Sequence, residues 1–594
     1  MIFKKINFNE LTKIIDKKLF IYLILISLAT IIISILELIG IGALAGFVLL
    51  LSDVKNFIDS LPNLKILNFV KEMEEKNLIN LFLISIVCFF LIKNILIFLF
   101  IFSFNKLRVL FNYSISKKLL DTYLSKNFEF FLLNKNSNLI HNIKEETVRF
   151  TGFIFSLINI LKESILIIAL ITGIFFINWK ITSLTIVLFG FLSIIIFSFI
   201  KKRLYNLGKD QTHYSSRLIK KLIETFQDIK LIKVRSLENF FSKKILFNQK
   251  KLLDVGFFQA TIVSIPRLIL EIFAVLGLSL TIFFFIKLNY SFNEILPFIT
   301  FLALAIVRMV PAIASLNNNI NNVTTNLISF EIVTKHFKDK KISDLKNKDS
   351  SGKKFLKIDN LEVKNLSYSY LNQPNDVLND LNFKLSKNDV LGIIGDSGSG
   401  KTTLVNIICG LLKPKSGNIL INDSVIEEQN LKDYSISYMP QFTNIIDENL
   451  DLNIAYGVDE ANIDKKKITE SLKIAELEKI DKDFYQKQMG EDGLNISGGQ
   501  KQRIGLARTV YYDPDLLILD EPTSDLDFKT QDKIIENLKL LSKNKITIII
   551  AHRLNTLEIC NKLLILESGL KYDFGPKNEI LNKNSDLSKF FKNK

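Results

Sequence analysis

A chain of 594 residues, 48% of them hydrophobic, with 49 Phe and one Trp, is too long for a single hydrophobic core and unusually apolar for a soluble protein. The net charge of +16 comes with no recognisable nucleic-acid reader motif; biased composition rich in Lys, Asn, Ile and Phe explains it better than a nucleic-acid partner. Cys88, Cys409 and Cys560 are widely separated and give neither a metal-binding spacing nor a disulfide framework, and the last two fall in what reads as a reducing, cytoplasmic domain.

The apolar residues concentrate before about residue 316, which predicts a membrane half followed by a soluble half. Residues 5–19 mix polar and apolar side chains and read as an interfacial helix, not a cleavable signal peptide. Six stretches follow, about 20–51, 79–103, 152–178, 181–200, 257–286 and 293–316, each at or above the length of about 20 residues that a helix needs to cross a bilayer. Asn178-Trp179-Lys180 and the residues around Lys287–Phe292 make two tight hairpins on one side of the membrane.

The longer connections are 104–151 and 201–256. The second carries about fourteen Lys/Arg against about five acids, so the positive-inside rule places it in the cytoplasm, and alternation places the first beside it. Segment 52–78 is close to neutral and lies outside; Ile58, Leu61, Leu64, Leu67 and Val70 recur every third residue, the pattern of a short helix on the membrane surface. Both termini are then cytoplasmic. Residues 317–355 read as a helical extension and a polar linker, and from 356 to 594 short β-branched runs alternate with helical segments. That alternation is the pattern of an α/β domain with a largely parallel sheet.

Within the soluble half, the apolar strand Val390-Leu391-Gly392-Ile393-Ile394 runs into Gly395-Asp396-Ser397-Gly398-Ser399-Gly400-Lys401-Thr402 and a helix beginning near Thr403. This is a P-loop in its strand–loop–helix context: glycines let backbone N–H groups wrap phosphates, Lys401 reaches the β- and γ-phosphates, and the Thr402 hydroxyl can ligate Mg²⁺. Leu516-Leu517-Ile518-Leu519-Asp520-Glu521 is a buried strand ending in two carboxylates. Asp520 is placed to hold Mg²⁺ through water and Glu521 to polarise an attacking water.

Ser497-Gly498-Gly499-Gln500 precedes an apolar helix from Ile504. With the two motifs above it resembles the ABC ATPase family, whose signature is usually written LSGGQ; here Ile496 replaces the Leu. Gln441 in Met439-Pro440-Gln441 matches the family's Q-loop, which adds a Mg²⁺ contact. His552 in Ala551-His552-Arg553 matches the switch histidine. Ser524-Asp525-Leu526-Asp527 matches the D-loop, with Asp525 where Ala is usual, and Tyr370 in Tyr368-Ser369-Tyr370 matches the aromatic that stacks on adenine. The resemblance implies an ATP- and Mg²⁺-dependent enzyme whose nucleotide domains close head to tail. Ser497 and Gly499 of one chain then complete the site of Lys401, Asp520 and Glu521 in the other, so a homodimer carries two competent sites.

Six spans ahead of a nucleotide domain resemble the exporter branch of the family over the whole chain. The implied fold is a membrane α-helical domain over 1–316, a helical extension and linker over 317–355, and an α/β P-loop nucleotide-binding domain over 356–594. Coupling helices are expected near Lys135–Asn142 and Glu224–Val234. The implied setting is the bacterial cytoplasmic membrane, with membrane lipids as partners and no periplasmic binding protein.

Charges inside spans are costly and mark functional candidates: Glu37, Lys93, Lys162, Glu163, Arg267, Glu271 and Arg308. Arg267 and Glu271 are four apart on one helix face and can neutralise each other, and Lys162 and Glu163 can lie in a cytoplasmic extension of the third span. Lys93 and Arg308 have no evident local partner and suggest a cationic strip suited to a phosphate or pyrophosphate headgroup. Ile265-Pro266-Arg267-Leu268-Ile269-Leu270-Glu271 and Ala305-Ile306-Val307-Arg308-Met309-Val310-Pro311 resemble bacterial lipid-linked oligosaccharide flippases of the PglK type. That resemblance implies an amphiphilic, lipid-linked glycan as substrate, with Arg267 and Arg308 on its pyrophosphate. Lys93 stands where that family tends to have Arg. The alternatives are an exporter of lipid A, phospholipid, peptide or protein, or, in another class, a nucleotide-gated channel or sensor. Intact Glu521 and His552 argue for turnover over gating.

Overall fold

The computed structural model describes residues 12, 14–52, 54, 74–177, 179–287, 292–338, 355–370, 375–426, 428–478, 488–490, 493, 495–551, 553–567 and 571–583. Most of the expected interfacial helix 5–19, nearly all of the external helix in 52–78, and His552 lie outside the described residues. The chain divides into two compact units, Met1–Lys126 with Phe131–Lys346, and Asn127–Phe130 with Asn347–Lys594.

The described helices up to Lys338 are α1 Lys17–Ser52, α2 Glu75–Leu124, α3 Phe128–Leu133, α4 Asn136–His141, a π-helical turn Asn142–Glu146, α5 Thr147–Ile177, α6 Trp179–Gln227, α7 Ile229–Val234, α8 Glu238–Lys287 and α9 Phe292–Lys338. Among the described residues, four helical stretches are long and apolar enough to cross a membrane: Lys17–Val48, Glu75–Leu124, Asn136–Gly173 and Glu238–Leu280. They overlap most of the first, third and fifth expected spans and contain the second. The stretches 181–200 and 293–316 lie on α6 and α9.

The connections 104–151 and 201–256 are largely continuous helix and only briefly loop. α2 alone has 50 residues, about 75 Å of helix against a hydrocarbon layer of about 30 Å. Lys, Leu and Arg are good helix formers, so the charged ends of α2, α6 and α8 carry the helix on past its apolar run. Short helices do occur at both expected coupling positions, α4 and α7. Asn127–Phe130 of the first connection group with the second unit.

Inside the first unit, Ile41, Leu166, Leu170, Leu270, Leu302, Ala305 and Met309 form an apolar core shared by α1, α5, α8 and α9. Nearer the charged ends, Phe330 stacks on Phe150 at 5.9 Å and packs on Phe153 at 5.0 Å. Gly208 lets α6 cross α9 closely, since a Cβ there would run into the Thr325 carbonyl. Phe98, Val87, Leu91 and Ile95 on α2 point outward, the surface a lipid-facing helix presents.

The second unit holds two sheets. One is four-stranded and antiparallel, in the order β2-β1-β4-β5, from β1 Asn360–Tyr368, β2 Leu378–Ser386, β4 Ser416–Ile421 and β5 Ser424–Val425. The other, in the order β10-β9-β3-β8-β7-β6, contains β3 Val390–Gly395, β6 Ile436–Met439, β7 Leu516–Asp520, β8 Ile546–Ile550, β9 Lys562–Glu567 and β10 Lys571–Pro576. It is parallel except for β10. Helices α10 Lys401–Ile408, α11 Leu450–Ile454, α12 Lys465–Ile474, α13 Gly498–Tyr511, α14 Phe528–Leu541, α15 Leu554–Leu557 and α16 Lys577–Lys583 complete the unit.

β7 is buried along its whole length because alternate residues enter different cores. Leu517 and Leu519 pack with Ile504, Ala507 and Val510 of α13, while Leu516 and Ile518 pack with Leu404, Val405 and Ile408 of α10. A strand covered on both faces is nearly all apolar, and this explains the unbroken run Leu516–Leu519. Phe128 packs against the second of these cores. Burial pushes the thiols of Cys409 and Cys560 up to about 12, so both stay protonated packing groups.

Candidate functional site

In parallel sheets, ligand sites form beyond the carboxyl ends of the strands. Here β8 lies between β3 and β7, with Ile550 paired to Ile393 on one side and Asp520 on the other. The register brings the loop after β3, the carboxylates after β7 and the segment after β8 to one edge.

The loop after β3 turns through Gly398 at φ +83° and Gly400 at φ +97°, left-handed conformations that favour glycine. A Cβ on Gly400 would lie 2.7 Å from Leu378 Cδ2 and 3.0 Å from the Val377 carbonyl, so the backbone is free to curl around a ligand only while this residue is Gly. Lys401 is buried and donates from Nζ to the carbonyls of Gly395 at 2.7 Å and Asp396 at 2.8 Å. Burial pulls its ammonium below the ordinary lysine value, opposed by Asp396, then Asp520 and Glu521. The Ser399 hydroxyl is buried with no hydrogen-bond partner among the described residues. An orphaned donor and a buried cation in a glycine cradle fit phosphate oxygens.

Thr402 is exposed at the start of α10, and the Tyr370 hydroxyl shares a hydrogen bond of 3.0 Å with the Thr403 hydroxyl. Asp520 is buried at the end of β7, where the Tyr438 hydroxyl donates to Oδ2 at 3.4 Å. Burial, followed by the Asp520 charge, pushes the Tyr438 phenol well above its usual value, so it remains a donor. Glu521 leaves the strand at φ +48° with its N–H on the Ile550 carbonyl at 2.9 Å. That left-handed turn aims the carboxylate out of the sheet, where it accepts from Gln441 Nε2 at 3.1 Å. Among the described residues no group of three or more His, Cys, Asp or Glu could hold a metal ion by itself, so a cation here would be shared with nucleotide oxygens.

Ser497 caps α13 through a capping box: its hydroxyl accepts from the Gln500 N–H at 3.3 Å, and its own N–H donates to Gln500 Oε1 at 2.8 Å. Gly498 and Gly499 are small because the 524–527 turn crosses them. A Cβ on Gly499 would lie 3.0 Å from the Asp525 carbonyl, and one on Gly498 would lie 3.2 Å from Asp525 Oδ2. Asp527 caps α14 by accepting from the Thr530 N–H at 3.0 Å, a bond that holds its carboxyl below the usual carboxylate range.

Two residues given no role from sequence join these pieces. Gln502, buried on α13, donates to the Glu521 carbonyl at 2.6 Å and to the Ser524 hydroxyl at 2.9 Å, and accepts from the Asp525 N–H at 2.9 Å. Arg553 donates to the carbonyl of Ser524 at 2.5 Å and to Gln531 Oε1 at 2.8 Å. The helix begins with several polar side chains, so nothing in the sequence singles out Gln502. Arg553 carried no signal beyond its place next to His552.

In the first unit the intramembrane charges are mostly paired. Arg267 Nε donates to Glu271 Oε1 at 2.9 Å, as the four-residue spacing predicts. Lys162 lies 3.2 Å from Glu163, which also accepts from the Ser315 hydroxyl at 3.1 Å. Arg308, which has no evident local partner in the sequence, has a distant one. Arg308 Nε donates to Glu37 Oε2 at 2.8 Å, and a second guanidinium nitrogen donates to Glu37 Oε1. Glu37 lies 271 residues away on α1, so no local spacing could have revealed the pair. Lys93 stands 4.1 Å over the Phe90 ring.

A membrane-helical unit and a P-loop nucleotide unit fused on one chain define the half-transporter of an ATP-driven exporter, an ATPase coupled to transport. Residues 378–524 match the ABC transporter family and residues 19–309 match the ABC transporter transmembrane region. The chain belongs to the ABC transporter family. It is 30% identical over 460 residues to the multidrug resistance-like ATP-binding protein MdlA of Buchnera aphidicola, covering 74% of this chain and 76% of that one. It is 27% identical to an export ATP-binding/permease protein of Rickettsia typhi over 77% of this chain and 78% of the relative. It is 24% identical to the ATP-dependent lipid A-core flippase of Ralstonia nicotianae over 72% of each. A solved bacterial Atm1-family ABC exporter with ATP bound shares the fold with a TM-score of 0.77 at 18% identity, over 96% of this chain and 97% of that one.

Proposed function

We propose that the chain works as a homodimer in the bacterial cytoplasmic membrane and flips a lipid carrying a phosphate- or pyrophosphate-linked glycan, drawing on ATP. The observation that carries the substrate reading is the meeting of Arg308, Glu37 and Lys93 among membrane helices, since charge there is costly unless it serves a site. Arg267 and Lys93 are the further headgroup contacts in this reading.

In the ATPase half, the Gly395–Gly400 backbone, Lys401 and Ser399 hold the phosphates, and Tyr370 supports the base. Thr402, Gln441 and Asp520 hold Mg²⁺, which when bound neutralises charge between the β- and γ-phosphates. Glu521 accepts a proton from water, with Gln441 fixing its carboxylate, and His552 contacts the γ-phosphate. Ser497 and Gly499 of the partner present the start of α13, whose N–H groups and dipole favour an anion. Closing and release of the two nucleotide units give the two-state element to which the membrane helices couple.

A second reading, export of a lipid A-type glycolipid, is favoured by the relationship to the lipid A-core flippase. Substrate-stimulated ATP turnover tests both. Polyprenyl-pyrophosphate oligosaccharide should raise turnover severalfold, with lipid A weaker. Stimulation by lipid A alone would select the second reading, and stimulation by neither would remove the headgroup proposal.

A further inference from the structure

Three charges from three helices lie near one another in the membrane unit. Glu37 on α1 is buried, and its carboxylate takes both arms of the Arg308 guanidinium from α9. Gly40 lies one turn along α1 from Glu37, and a Cβ there would sit 3.5 Å from the Nζ of Lys93 on α2. Among the described residues, the charges acting on Lys93 are those of Glu37 and Arg308. The side chain of Arg308 is 43% exposed, whereas that of Glu37 is 8% exposed. The guanidinium is therefore the accessible member, and the carboxylate stands behind it.

We propose that Glu37 is a resident counter-ion that exchanges partners. Before substrate arrives it neutralises Arg308. When an anionic headgroup docks on Arg308, the Glu37 carboxylate turns to Lys93, its other cation one helical turn away. This deepens the headgroup reading above and rests on it, and it changes the role of Lys93 from headgroup contact to acceptor of Glu37. The physical reason is charge balance. A buried carboxylate stripped of its ion-pair partner is strongly unfavourable, and a second cation one helical turn away lowers that cost. Carboxylate and phosphate oxygens fit the same guanidinium fork, so one can replace the other on Arg308 without new geometry. Specificity follows: a ligand must out-compete a bidentate carboxylate, which neutral and cationic amphiphiles cannot do.

The test uses the purified full-length protein in nanodiscs without nucleotide, with farnesyl pyrophosphate as probe. Glu37→Gln should bind the probe about tenfold more tightly than wild type, and Lys93→Met about tenfold more weakly. The double variant Glu37→Gln/Lys93→Met decides the matter. If Lys93 serves Glu37, the loss disappears and the double variant binds like Glu37→Gln; if Lys93 touches the headgroup, the loss persists and the exchange is overturned. Should Glu37→Gln fail to fold, Glu37→Asp, with a shorter reach to Arg308, should tighten binding in its place, and unchanged or weaker binding overturns the proposal. Wild type that binds the probe while Glu37→Gln leaves its affinity unchanged overturns the exchange alone. No binding in any variant overturns the exchange and the headgroup reading together.

Discussion

Gln441 and Glu521, 80 residues apart in sequence, are joined by a hydrogen bond of 3.1 Å from the amide of one to the carboxylate of the other. They can meet because β6 and β7 are parallel neighbours, paired from Ile436↔Leu516 to Met439↔Leu519, so both strands deliver their next residues to the same edge. The amide fixes the carboxylate at that edge. Glu521→Gln should therefore bind ATP as wild type does and lose turnover by at least about 100-fold, the scale of a lost general base. Nucleotide binding and phosphate release measured on one preparation check this. Retained turnover would remove Glu521 from its role.

Gly400→Ala should abolish nucleotide binding while leaving the chain folded. The added methyl meets Leu378 and the Val377 carbonyl, and the left-handed backbone adds about 1–2 kcal/mol for any L-residue. Titration with a fluorescent ATP analogue, alongside a thermal melt, separates loss of the cradle from loss of the fold.

Gln502→Ala should slow turnover about tenfold or more with little change in ATP affinity. Its three hydrogen bonds connect α13, the Glu521 carbonyl and the 524–525 turn, and none of them reaches the P-loop. Steady-state kinetics should show a lower kcat at nearly constant KM. A rise in KM alone would place its effect on binding.

Asp525→Ala should raise ATP turnover at low ATP. The exposed carboxylate faces Gly498 at the start of α13, the end that would meet the partner's phosphates in the proposed head-to-tail dimer, where like charges would oppose closure. Since the side chain is exposed, stability should change by less than about 0.5 kcal/mol. The measurement is the KM for ATP, expected to fall severalfold, most clearly at low salt.

The elements of the proposed ATP site were largely legible in the sequence because they are local. Strand, loop and helix follow one another from Val390 to Ile408, and the two carboxylates close a strand whose apolar run marks it as buried. What the sequence could not carry were contacts set by helix crossing and strand register. Arg308 looked unpaired because Glu37 is brought to it only by the packing of α1 on α9. Gln502 looked like one polar residue among several until the 524–525 turn was seen against it. The connections 104–151 and 201–256 looked like loops because their charge ended the apolar pattern, but charged residues with good helix propensity continue a helix in water as readily as apolar ones do in lipid.

The most direct test of the account is translocation itself. Purified protein in liposomes is given ATP and Mg²⁺ with a polyprenyl-pyrophosphate oligosaccharide in the outer leaflet, and loss of the glycan from the outside is followed in time. ATP-dependent translocation by wild type, absent in Glu521→Gln, is the predicted result. Rapid ATP hydrolysis with the glycan left where it started would contradict the proposed substrate, and translocation at an undiminished rate in Glu521→Gln would contradict the coupling of hydrolysis to transport.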